Sequence, residues 1–151
     1  MHPSFIFAFI LLATLSMVNA IPTIFGSCDI ENVIKISVNL NPDPVVPGQY
    51  DIFDVSGTLD SDFTDTANIY VEYFGKDLDD PILFQLCKGC QYKAKTPFKI
   101  SLNVYTPSVL SDSYGIMVYI KSENLDYLGC AMALVGDESP PKDASALPIP
   151  R

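Results

Sequence analysis

The chain has 151 residues, 48% of them hydrophobic, and carries nine basic against eighteen acidic side chains for a net charge of -9. That is sequence for one domain, and its acidity excludes a general nucleic-acid binder, which needs a basic face to displace phosphate counterions. The one histidine is His2 and there is no Trp, so the rest of the chain has no His base, no His-assisted nucleophile and no His metal ligand.

Residues 1–20 read as a secretory signal peptide. Phe5 to Ala13 forms an apolar run, and Val18-Asn19-Ala20 places small or short residues before a cleavage expected after Ala20. This segment also supplies part of the positive mean hydropathy. No later stretch is long and apolar enough to span a bilayer. The product is therefore expected to be secreted, or held in the lumen of an endomembrane compartment. No Asn-x-Ser/Thr sequon occurs.

Cys28, Cys87, Cys90 and Cys130 suit that compartment. Three connectivities are open. Cys28 opens the domain, Cys130 lies in its last apolar run, and Cys87 and Cys90 are three apart, so the economical pairing is Cys28–Cys130 with Cys87–Cys90. A redox reading of Cys87-Lys88-Gly89-Cys90 wants a βαβ setting, and a zinc knuckle wants a second pair of ligands. The sequence shows neither.

From residue 21 the chain reads as strands. Val33 to Leu40 alternates, with Ile34, Ile36, Val38 and Leu40 on one face. Asn41 to Gly48, with three prolines and a glycine, breaks the ladder. A second strand covers about Gln49 to Leu59, and the slip in parity between Ile52 and Phe53 predicts a bulge. Asn68 to Phe74 sets Ile69, Val71 and Tyr73 on one side. Gly75 to Asp80 is an acidic turn, followed by the short apolar run Ile82 to Leu86. Phe98, Ile100, Leu102 and Val104 then alternate with polar residues. Tyr114, Ile116, Val118 and Ile120 form the next inward set, and Leu128, Cys130, Met132 and Leu134 the last. About seven strands without a helical period predict an all-β fold, an immunoglobulin-like antiparallel two-sheet sandwich over residues 21–136. Residues 137–151, with four prolines, are expected to be a disordered tail.

The order of these features resembles the ML, or lipid-recognition, family, which includes the Niemann-Pick type C sterol carrier and fungal phosphatidylglycerol/phosphatidylinositol transfer proteins. The elements are Cys28, the Pro42 to Gly48 segment, Cys87 with Cys90, Cys130, and the strand Tyr50 to Leu59 with Val55-Ser56-Gly57. The resemblance spans about Cys28 to Val135. It implies a lipid held between two sheets, no catalysis, and the two disulfides favoured above.

The lining of such a site is the inward set: Phe53, Val55, Ile69, Val71, Tyr73, Phe84, Phe98, Ile100, Leu102, Ile116, Val118 and Ile120. The same residues would also serve as packed core in any sandwich of this size. Charge placement adds a second candidate. No Asp or Glu occurs between Pro81 and Ser111, where Lys88, Lys93, Lys95 and Lys99 fall. With Tyr92 they form an expected docking edge for an anionic membrane surface; a solvated strand face is the competing account. Asp60, Asp62 and Asp65, and Asp77, Asp79 and Asp80, lack the glycine and terminal glutamate of a calcium loop and read as solvated turn acids.

The sequence therefore predicts a secreted, monomeric, non-enzymatic carrier of one lipid (a sterol, phosphatidylglycerol or phosphatidylinositol) with no cofactor, metal or nucleic-acid partner. A secreted protein-interaction module with a solid core is the alternative, and a lipid-presenting accessory subunit of a receptor the third reading.

Overall fold

The computed structural model describes residues 21–75 and 89–136. The expected signal peptide, the run Ile82 to Leu86 and the expected tail lie outside the described residues. So do Phe84, Cys87 and Lys88.

Seven strands are described: β1 (Ile34–Lys35), β2 (Ser37–Asn41), β3 (Tyr50–Thr58), β4 (Asn68–Phe74), β5 (Pro97–Tyr105), β6 (Tyr114–Lys121) and β7 (Tyr127–Val135). They form two sheets, ordered β1-β7-β6-β4 and β2-β3-β5. Every pairing is antiparallel except that of β1 with β7. The all-β two-sheet architecture is the one the alternation predicts. Inward β-branched and aromatic residues meet across neighbouring strands, as in Ile69↔Ile120, Val71↔Val118 and Tyr73↔Ile116.

Three local expectations are corrected. The run Val33 to Leu40 is two strands, because the chain passes from one sheet to the other at Ile36. The Ile36 amide donates to the Cys130 carbonyl at 3.2 Å, tying the crossing to β7. Second, β3 has no bulge. Its register with both β2 and β5 runs unbroken, and Ile52 is 41% exposed while Asp51 is fully buried beside Phe53 and Val55. The apparent slip arose because an acid occupies an inward position. Third, the bulge sits in β7, where the register shifts at Ile120/Lys121 and Leu128 is the extra residue between Tyr127 and Gly129. Beyond it the parity reverses. Ala131 and Ala133 are buried inward and Leu134 is 37% exposed, so Cys130, Met132 and Leu134 are not the inward set.

Between β2 and β3 the chain turns through two cis peptides, Asn41–Pro42 and Asp43–Pro44. Gly48, at φ 75°, donates to the carbonyls of Thr106 and Pro107. That left-handed backbone is open to glycine at little steric cost. Cys28 and Cys130 are disulfide-bonded with Cα atoms 5.9 Å apart at a sequence separation of 102, which anchors the N-terminal segment on β7. Cys90 is also disulfide-bonded.

Candidate functional site

The faces that the two sheets turn toward each other carry apolar side chains. Phe53, Val55, Ile69, Val71, Tyr73, Phe98, Leu102, Ile116, Val118 and Ile120 are all buried and belong to one contiguous cluster. Ile100, on the edge strand β5, packs against that cluster but is only half-buried, although Phe98 and Leu102 on either side of it are buried. The lining expected from sequence omits Ile36, Leu59, Phe63, Val104 and Ala131, which also belong to the cluster. Val104 stood in the inward alternation of its strand; Phe63 lies in a loop, where periodicity carries no signal.

The two long sides of the sandwich differ. On one, the β1–β2 crossing at Ile36 runs directly from sheet to sheet. On the other, β4 and β5 are the outermost strands among the described residues, and Ile100 belongs to that side.

One end is closed by aromatic rings. Phe63 and Tyr92 exchange backbone hydrogen bonds at 2.8 Å and stack with centroids 5.9 Å apart, and Phe98 completes the triad at 5.7 and 5.8 Å. The same two loops bring acids to the expected lysine edge. Lys93 pairs with Asp62 at 3.0 Å and Lys95 with Asp60. The Ala94 amide donates to Asp62 at 2.9 Å, and that bond, with Lys93, lowers the Asp62 pKa. Asp60 and Asp62 are thus not merely solvated. The Lys93 and Lys95 side chains stay 82% and 72% exposed, Lys99 is exposed on the outer face of β5, and the Tyr92 hydroxyl donates to the Lys99 carbonyl.

Polar groups gather at the opposite end. Asp51, Thr106 and Tyr73 are buried. Thr106 donates its hydroxyl hydrogen to Asp51 Oδ2, which also accepts from the Val46 amide at 3.1 Å. The Tyr73 hydroxyl lies 2.8 Å from Thr106 Oγ1. Burial, before any neighbouring charge, pushes the Tyr73 pKa far up, so its phenol stays protonated.

The outer face of the β4–β6–β7 sheet carries a different group. Lys121 Nζ lies 4.3 Å from the Tyr127 ring centroid and 5.4 Å from that of Tyr119. Tyr119 donates to Glu72 at 3.3 Å, and desolvation raises the Glu72 pKa. A groove of about 530 Å³ lies apart from the inter-sheet cluster, lined by Ile21, Thr23, Pro44 and Leu134 among others. None of the eleven expected lining residues that are described borders it. No group of three or more His, Cys, Asp or Glu suited to a metal ion occurs among the described residues.

Among solved structures, a Niemann-Pick type C2 protein from Japanese carpenter ant superimposes with a TM-score of 0.53 at 19% identity, covering 74% of this chain and 97% of that one. Chicken MD-1, in a complex with lipid IVa, does so with a TM-score of 0.54 at 12% identity, covering 76% and 88%. The chain has the ML-domain fold. No protein-family model and no curated protein matches the sequence.

Proposed function

We propose that the chain is a lipid-binding protein that holds one lipid between its two sheets and shields the apolar part from water. The observation that carries this reading is Ile100. An inward residue in the middle of an edge strand reaches solvent, while the inward residues on either side of it are buried. That pattern fits an opening at the β4/β5 side into a largely apolar interior. The fold neighbours support it, since one is a Niemann-Pick type C2 protein and the other was solved with lipid IVa bound. Each methylene taken from water into such an interior gains about 0.8 kcal/mol, so a single acyl chain or ring system suffices for useful affinity.

The chemistry is that of a carrier, with no step made or broken in the lipid. Secretion or delivery to an endomembrane lumen follows from the signal-peptide pattern of residues 1–20 and agrees with a disulfide-linked domain. Transfer calls for transient contact with an anionic membrane. Lys93, Lys95, Lys99 and Tyr92 form the contact in this reading, because exposed ion pairs are worth little and release their lysines readily. Native mass spectrometry of the purified secreted protein tests the whole. A co-purifying or added sterol or phospholipid at one-to-one is expected. A protein that stays empty in the presence of both would instead favour a protein-interaction module.

A further inference from the structure

Two carboxylates are buried among the described residues, Asp51 and Glu72. Glu72 faces outward and has Tyr119 as donor and Lys121 nearby. Asp51 faces the interior, one inward position from Phe53 and opposite Val104 of β5. Its Oδ2 is fully used by Thr106 and Val46. The Thr106 hydroxyl has one hydrogen, and Asp51 takes it. The Tyr73 phenol must therefore donate to Thr106 Oγ1, and the direction of the relay is fixed from Tyr73 to Thr106 to Asp51.

Asp51 Oδ1 is left over. It is buried and has no hydrogen-bond partner. The inward neighbours Phe53 and Val104 are apolar, Tyr73 and Thr106 have already committed their hydrogens, and the Tyr114 phenol, near enough for Asp51 to raise its pKa, makes no hydrogen bond to Oδ1. A buried acceptor without a donor carries its full desolvation cost, so the site is built to receive a donor from elsewhere. We infer that Asp51 Oδ1 is the acceptor for a hydroxyl at the inner end of the bound lipid, which makes the preferred ligand a neutral alcohol lipid. This rests on the lipid-binding reading and deepens it. An ionised fatty acid would bring a second negative charge and no hydrogen to Oδ1, and an ether would bring no hydrogen. Both are disfavoured by the same oxygen.

A matched series tests this with the delipidated secreted protein: hexadecanol, its methyl ether and hexadecanoate, with dissociation constants measured by displacement of a fluorescent lipid. The alcohol is expected to bind about tenfold tighter than the ether, the scale of one hydrogen bond to a charged group. In Asp51→Asn the amide oxygen can keep Thr106 and Val46 while the amide nitrogen takes the Oδ1 position as a donor. The ranking then reverses toward the ether and the carboxylate. Equal binding of alcohol and ether to the wild type, as an internal water on Oδ1 would give, overturns the inference, as does an unchanged ranking in Asp51→Asn. Should that variant misfold, the wild-type ranking alone decides. Lipids that bind without rank sink only this inference, whereas a protein that binds no lipid of any class sinks the reading beneath it as well.

Discussion

Ile36 rests against the bare Cα face of Gly129. A Cβ built on Gly129 would lie 2.7 Å from Ile36 Cγ2 and 3.0 Å from Leu59 Cδ2, so glycine is what lets the chain cross between sheets at this point. Gly129→Ala is expected to cost about 1–3 kcal/mol through overpacking, read as a lower urea midpoint. Ile36→Ala removes the opposing γ-carbon. In the double variant the two costs should fall short of their sum, the mark of a shared contact.

The buried Glu72 makes stability depend on pH. Its pKa is raised, first by desolvation and against the pull of the Tyr119 hydrogen bond and Lys121. The native state therefore holds a proton that the unfolded chain has released, and stability falls as pH rises from the ordinary glutamate value through the raised one. Glu72→Gln is expected to be more stable than the wild type at pH 7.5. That advantage should vanish below about pH 4, where both states of the wild type are protonated. Denaturant titrations at the two pH values check it.

Asp60 and Asp62 hold two of the lysines proposed to meet the membrane. The double variant Asp60→Asn, Asp62→Asn should bind phosphatidylglycerol vesicles more tightly than the wild type, with the gain lost in high salt. Conversely, Lys93→Gln, Lys95→Gln and Lys99→Gln should each weaken binding by about fivefold, the equivalent of ~1 kcal/mol per lysine near an anionic surface. Vesicle co-sedimentation that responds to none of these changes would remove the membrane role from this edge.

The absence of Trp from the chain offers a clean reporter. Ile100→Trp places an indole at the half-buried position of β5, and its emission should shift to the blue when lipid enters. Ser101→Trp, one residue on and facing outward, should not respond. Phe53→Ala, in the fully buried cluster, is expected to cost about 3–5 kcal/mol of stability instead.

Alternation made most of the strands legible, and β4 has the limits the sequence predicts. It failed where it measures the wrong thing. Period two reports which way a side chain faces, not which sheet the strand belongs to, so Ile34, Ile36 and Val38 read as one strand although the sheet changes between them. Hydrophobicity also misled in β7, where the inward side takes Gly129, Ala131 and Ala133 while larger residues lie outside. Asp51 looked like a fault in β3 because an acid facing inward breaks the apolar count. The lysine edge was read from a run of sequence without acids, yet Asp60 and Asp62 reach it from more than thirty residues away. Such contacts have no local signature.

The crossing at Ile36 has a mechanical consequence. β1 and β2 are one continuous chain, and Cys28–Cys130 binds the N-terminal segment to the β7 that β1 pairs with. Among the described residues the two sheets are therefore bound like the covers of a book, with a stitched spine on this side and β4 and β5 as the fore-edges. A guest of greater girth must be accommodated by swinging the fore-edges apart. Amide exchange should then quicken in β4 and β5 on loading while β1 and its partner β7 stay protected.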